Sequence, residues 1–261
     1  MIRALSGLLG VALLVGCSDA ASSEKRASLA PENIVSGYAF LQPETQALQE
    51  DAFANPAFLW VDQGQALFEA GETPCASCHS GDDQDLVGAS ASYPAIDEQS
   101  GELFNIEARI NACRERHQNK PPLEYESREL LSLTAYVGSL SNGLPHAPQA
   151  LSEATQVFFE TGEDYFYTRR GQFNLSCSSC HDESWGKRLR GDTISQGHPN
   201  GFPAYRLEWQ ALGSLHRRLR DCDTGVRAEP LEFGDPTYTA VEYYLALRSR
   251  NLTIETPAVR R

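Results

Sequence analysis

The pattern that most constrains this chain is written twice. Cys75-Ala76-Ser77-Cys78-His79 is followed downstream by an arginine and a cysteine four apart, Arg109 and Cys113. Cys177-Ser178-Ser179-Cys180-His181 is followed in the same way by Arg218 and Cys222. C-x-x-C-H is the signature of c-type haem attachment, in which two thiols become thioethers and the adjacent histidine ligates the iron. One copy can arise in a zinc site or by chance. Two copies inside a repeat predict two covalently attached c-type haems, on Cys75 and Cys78 and on Cys177 and Cys180. His79 and His181 are then the proximal ligands.

The repeat extends beyond the motifs. In each half the order is haem motif, Arg-x-x-x-Cys, Pro-Leu-Glu, then a helix carrying tyrosine: Pro122-Leu123-Glu124 and Tyr136 in the first, Pro230-Leu231-Glu232 and Tyr243-Tyr244 in the second. Internal repetition of this kind signals repeated architecture. The chain reads as mostly α, with two cytochrome c-like haem domains related by internal duplication. The expected division is a signal peptide over 1–16, a tether over 17–45, a first haem domain over 46–144 and a second over 145–261. Periodicity predicts helices over Pro43–Asp51, Pro56–Ala70, Leu103–His117, Ser127–Leu140, Ser152–Thr161 and Tyr205–Cys222. In the second of these, Leu59, Trp60, Gln63 and Leu67 fall near one face. Pro121-Pro122 ends the third. Asp235-Pro236 opens a last helix, with aspartate at the N-cap and proline in the first turn. Tyr238, Val241, Tyr244 and Leu245 line its apolar face. Leu144–Leu151 reads as the linker between the halves.

Methionine and cysteine counts sharpen the iron chemistry. The only methionine among the 261 residues is Met1. Cytochromes c ordinarily pair histidine with methionine, so the sixth ligands here come from His, Cys or Lys, from a partner or water, or are absent. Of seven cysteines, four belong to the haem motifs and Cys17 to a targeting segment, leaving Cys113 and Cys222. These can form a disulfide, sit as small buried hydrophobes, or each ligate its own haem iron. The repeat favours the last reading, because each holds the same place relative to its haem. His117, His146, His198 and His216 are the competing ligands and read as surface or structural residues.

Residues 1–16 carry Arg3 and an apolar run from Leu8 to Val15, a secretory signal too short to span a membrane. Leu14-Val15-Gly16-Cys17 resembles a lipoprotein cleavage site, with ordinary cleavage within Cys17–Ala21 as the alternative. Lipidation of Cys17 tethers a chain without embedding it. The expected location is the periplasm, free or membrane-tethered. A formal net charge of −13 excludes the basic footprint of a nucleic-acid binder. Against that acidic background, Arg206, His216, Arg217, Arg218 and Arg220 crowd the segment before Cys222. Arg218 shares a helical face with Cys222, where a guanidinium lowers a thiol pKa and offers a fork of donors to an oxyanion. Lys187, Arg188 and Arg190 are weaker candidates for an anion channel.

These residues, with Ser36-Gly37-Tyr38, Asp51-Ala52-Phe53-Ala54-Asn55-Pro56 and Ile110-Asn111-Ala112-Cys113, resemble the SoxA family, the dihaem cytochrome c subunits of the bacterial Sox sulfur-oxidising system. The resemblance covers nearly all of the mature chain, and this chain keeps the first haem motif that single-haem members lack. It implies that His79 and Cys113 are axial ligands of the first haem and His181 and Cys222 of the second. It implies further that Cys222 is the active-site cysteine, found in the family as a persulfide, and that Arg218 binds thiosulfate. The implied activity is that of an L-cysteine S-thiosulfotransferase, joining thiosulfate oxidatively to a cysteine of the SoxYZ carrier with electrons leaving to cytochrome c. The implied partner is SoxX, a monohaem cytochrome. The lipoprotein-like signal departs from the family pattern. A thiosulfate dehydrogenase making tetrathionate, a plain dihaem electron carrier and a haem-based sensor are the alternatives.

Overall fold

The computed structural model describes residues 33–79 and 86–261; the signal segment, Cys17 and most of the tether lie outside them. Eight α-helices are present among the described residues: α1 (Pro43–Glu50), α2 (Phe58–Glu69), α3 (Ile106–Gln118), α4 (Arg128–Ser139), α5 (Gln156–Tyr167), α6 (Cys177–His181), α7 (Leu215–Gly225) and α8 (Pro236–Arg248). Short strands form two hairpins, β1 (Ala95–Ile96) with β2 (Leu103–Phe104) and β3 (Arg188–Leu189) with β4 (Asp192–Thr193). A small sheet has the order β6 (Ala211–Gly213), β5 (Ala204–Arg206), β7 (Ala258–Arg260). No helix of the described residues is long and apolar enough to cross a membrane.

Two helix crossings dominate the packing, α2 on α4 and α5 on α8. Each is built on a glycine. A Cβ on Gly64 of α2 would lie 2.0 Å from the Ser132 carbonyl oxygen and 2.7 Å from Tyr136 Cβ. A Cβ on Gly162 of α5 would lie 2.2 Å from the Ala240 carbonyl oxygen and 2.7 Å from Tyr244 Cβ. Only a residue without a side chain lets the backbones approach this closely. The crossing also sets which face of α2 is inside. Trp60, Val61, Gly64 and Phe68 are buried, whereas Leu59, expected on the inner face, is 62% exposed.

The helices that carry Cys113 and Cys222 begin later than periodicity suggests. Leu103–Phe104, expected as helix, is strand β2, and Asn105 turns the chain into α3 by accepting a hydrogen bond from the Ala108 N–H at 3.0 Å. The helix then ends at Asn119, in the left-handed region at φ 50°, before the two prolines are reached. Likewise Tyr205 opens no helix. Ala204–Arg206 pairs antiparallel with β6 and parallel with β7 near the C-terminus, a partner invisible to local pattern. Ser214 then caps α7 through the Arg217 N–H. Helix α5 is displaced from the expected Ser152–Thr161, because Ser152–Thr155 closes a turn in which Thr155 Oγ1 accepts from the Ser152 N–H at 2.8 Å. Asp235 and Pro236 open α8 as expected, and Tyr238, Val241, Tyr244 and Leu245 are buried along it.

The halves are closely joined. Trp60, Phe68, Leu131 and Tyr136 share one core with Tyr205, Leu212 and Val259 from the sheet. Phe166, Leu215, Leu219, Tyr238 and Tyr244 form a second. The linker is pinned, with His146 N–H donating to the Leu252 carbonyl and Ile254 N–H to that of Leu144. A cavity of about 40 Å³ is lined by Glu107 and Thr134 of the first half, His146 of the linker, and Phe202, Leu215 and Glu242 of the second half. Burial, and then the facing Glu242 charge, push the Glu107 carboxyl up to about 8.

Candidate active site

The second haem motif is a five-residue helix held by a capping box: Ser176 Oγ accepts from the Ser179 N–H, and Ser179 Oγ accepts from that of Ser176, both at 3.3 Å. This fixes Cys177 and Cys180 one turn apart and places His181 at the end of the turn. His181 Nδ1 lies 2.8 Å from the Ser195 carbonyl oxygen. A carbonyl only accepts, so Nδ1 carries the proton and Nε2 keeps its lone pair for a metal. The backbone reaches the ring this closely because residue 197 is glycine. Its φ is +76°, and a Cβ there would fall 2.9 Å from His181 Cγ.

Helix α7 brings Cys222 to the same place, within electrostatic reach of both His181 and Arg218. Burial raises the thiol pKa, but the charge of Arg218 and the His181 contact outweigh it, and Cys222 ends below the ordinary thiol value. The next residue anchors the helix. Asp223 is buried and accepts from the hydroxyls of Tyr165 and Tyr238, each at 2.6 Å, with Arg170 at 3.4 Å. Two thiols on one turn, a histidine with its Nε2 lone pair available and a nearby low-pKa cysteine are the donors a covalent haem with His/thiolate ligation would need, and the residues fit that group.

The first motif has the same parts and different electrostatics. Cys75–Ser77 is a 3-10 turn, with His79 N–H donating to the Cys75 carbonyl at 3.2 Å and the His79 ring 6.0 Å from Phe68. Cys113, on α3, lies within the electrostatic reach of Cys75 and Cys78. Burial holds its thiol above the ordinary value despite Arg109. Arg109 is committed elsewhere: its Nη2 pairs with Asp97 at 2.9 Å and its Nε donates to Tyr93 Oη at 2.8 Å. The described cysteines are all unbridged, so Cys113 and Cys222 form no disulfide here.

The basic segment before Cys222 resolves into individual tasks. Arg217 stacks on Trp209, 4.3 Å from the ring centroid, and faces Glu126 at 3.8 Å. Arg220 donates to the Leu231 carbonyl of the Pro-Leu-Glu segment. In the first half Asn111, likewise two residues before its cysteine, clamps Leu123, accepting from its N–H at 2.8 Å and donating to its carbonyl at 3.0 Å. His216 is fully buried, stacks on Tyr125 and accepts from the Gly234 N–H. The Arg218 side chain alone of this group makes no hydrogen bond or ion pair among the described residues. The charge acting most on it is that of Cys222. Lys187 is exposed and donates to the Glu183 carbonyl, and Arg188 donates to that of Gly191. Of the competing histidines, His117 is exposed on α3, and His146 and His198 are buried away from solvent.

Ser195, Gly197, Asp97 and Asp223 escaped the sequence reading. Ser195 acts through its carbonyl, which no side-chain pattern reports. Asp223 had one available signal, its place directly after Cys222.

Together these features define a c-type cytochrome, and residues 63–146 match the family model described as SoxA/TsdA, cytochrome c domain. Over a longer span the chain is 36% identical across 233 residues to the L-cysteine S-thiosulfotransferase subunit SoxA of Rhodovulum sulfidophilum, covering 88% of this chain and 81% of that protein. It is 37% identical across 231 residues to the subunit of the same name from Pseudaminobacter salicylatoxidans, covering 87% and 80%. The crystal structure of SoxXA from P. pantotrophus superposes with a TM-score of 0.83 at 32% identity, over 87% of each chain. The chain belongs to the SoxA family.

Proposed function

We propose that this chain transfers thiosulfate oxidatively onto a cysteine of a SoxYZ carrier, forming a cysteine S-thiosulfonate. A carrier thiol and a thiosulfate dianion give the S-thiosulfonate monoanion, one proton and two electrons, and the electrons pass to an acceptor cytochrome c. The observation that carries this reading is the free guanidinium of Arg218 beside the low-pKa sulfur of Cys222. In this role Cys222 is the active-site sulfur and Arg218 holds the anionic end of thiosulfate through charge-assisted hydrogen bonds. His181, oriented by Ser195, and the Asp223 anchor fix the position of that sulfur.

Two haems belong to the proposal, held covalently by Cys75 and Cys78 and by Cys177 and Cys180, with His79 and Cys113 and then His181 and Cys222 as axial ligands. When bound, they supply a route for electrons out of the site. Thiolate donation lowers a haem's reduction potential, which places such a site poorly as a simple electron carrier and suits Cys222 to sulfur chemistry. The matched crossings at Gly64 and Gly162 and the matched clamps at Asn111 and Arg220 support descent of the haem domains, 46–144 and 145–261, from one duplicated unit. A SoxX-type monohaem partner and a periplasmic location, with Cys17 as a lipid anchor, complete the reading.

The competing activity, oxidation of thiosulfate to tetrathionate without a carrier, separates cleanly by product. Purified haem-loaded chain with SoxX, thiosulfate and acceptor cytochrome c is expected to form no tetrathionate, and on addition of SoxYZ to modify the carrier. Steady tetrathionate formation without the carrier overturns the proposal.

A further inference from the structure

We infer that Arg206 is a second anion-binding residue of this site, so that its guanidinium and that of Arg218 together receive the sulfonate end of thiosulfate; the inference rests on the function proposed above. Arg206 lies on β5 and is 6% exposed. Its Nη2 is held by Glu208 at 2.7 Å, while its buried Nε has no hydrogen-bond partner. An unpaired N–H on a buried cation is costly, and such groups in native proteins call for an explanation, an absent ligand among them.

Its position indicates which ligand. The hairpin β5–β6 runs directly into Ser214, the N-cap of α7, so strand and helix are fixed to each other. Trp209, at the hairpin tip, has Arg206 4.9 Å and Arg217 4.3 Å from its ring centroid. Its Nε1 donates at 2.9 Å to Asp221, the residue before Cys222. Gly213 makes room for that indole, since a Cβ there would fall 2.4 Å from the Trp209 ring. Arg206 and Arg218 feel each other's charge, both feel that of Cys222, and Glu208 lies in the field of both. Two cations that share the field of one reactive sulfur match a dianion with three terminal oxygens, of which one planar fork takes two. Glu208 then occupies part of the donor set until substrate arrives.

The test uses the haem-loaded chain in complex with SoxX, with SoxYZ as acceptor. Arg206→Lys keeps the charge and removes the planar fork. It is expected to raise KM for thiosulfate about tenfold with kcat little changed, the mark of lost ground-state binding. The spectrum and midpoint potential of the second haem are expected to stay at wild-type values. An unchanged KM overturns the inference. So does a shifted potential with KM unchanged, which assigns Arg206 to a haem propionate instead. Glu208→Gln, at an exposed position, serves if Arg206→Lys does not fold. Removing the competing carboxylate is expected to lower KM, and an unchanged or raised KM counts against the inference. Arg218→Ala in the same assay separates the two claims. A loss there with none in Arg206→Lys defeats only this inference, and a loss in neither removes the site.

Discussion

Arg109 and Asp97 form an ion pair at 2.9 Å, and that pair distinguishes two otherwise parallel Arg-x-x-x-Cys sites. Asp97 is almost fully buried and also takes Arg116 in a two-pronged contact, 2.8 Å on each oxygen. With its guanidinium bound to Asp97 and Tyr93, Arg109 has little left for a substrate. Arg218 has no such partner among the described residues. Arg218→Ala is therefore expected to lower kcat/KM for thiosulfate about tenfold to 150-fold, from the loss of charge-assisted bonds of about 1.5–3 kcal/mol. Arg109→Ala is expected to lower thermal stability and leave kcat/KM within about twofold. Equal small losses in the two variants contradict this assignment.

The haem content follows from the two motifs. A pyridine haemochrome assay is expected to give two haems per chain, and the near-infrared Fe–Met charge-transfer band is expected to be absent. Cys113→Ala should alter only the first haem's low-spin thiolate features. Cys222→Ala should alter only the second's and abolish turnover. One haem per chain, or a Cys222→Ala variant with an unchanged spectrum, contradicts the ligand set.

The glycine crossings give a stability prediction free of haem chemistry. Gly64→Ala and Gly162→Ala each drive a methyl into a backbone carbonyl, and overpacking of this kind costs about 1–3 kcal/mol or more. For a chain of this size that corresponds to a thermal midpoint lower by about 2–12 °C. A shift under 1 °C in both variants would show that the helices cross less closely.

Glu107 sets a pH dependence. Its native carboxyl is raised to about 8 by burial and by Glu242, from an ordinary value near 4.5. Between those values the native state binds the proton more tightly than the unfolded chain. Its contribution is therefore fully present below about pH 4.5 and lost as pH rises toward 8. Urea midpoints should fall from pH 5 to pH 8, and Glu107→Gln should flatten that slope. An identical slope in the variant excludes Glu107 as its source.

What the sequence revealed and what it concealed divide along physical lines. Covalent chemistry is local, so the cysteines and histidines of the motifs could be read from five residues each. The cap at Asp235 and the apolar face of α8 are equally local and fall where expected. Tyr205 and Arg206, expected to open a helix, lie in a strand whose second partner, Ala258–Arg260, is over fifty residues away and leaves no local signal. The clustered basic residues looked alike in sequence. Only their partners, Glu126 for Arg217 and the Leu231 carbonyl for Arg220, separate them from Arg218.

The most direct test of the central claim is the mass of the SoxYZ carrier peptide after one round of reaction. The haem-loaded chain, SoxX, SoxYZ, thiosulfate and oxidised acceptor cytochrome c are mixed and the carrier cysteine is examined by mass spectrometry. The account predicts that the carrier cysteine loses one hydrogen and gains one S₂O₃ group, with two equivalents of cytochrome reduced per adduct. Replacing Cys222 with alanine should remove the adduct. An unmodified carrier cysteine beside reduced cytochrome, or an adduct that persists in the Cys222→Ala variant, would contradict it.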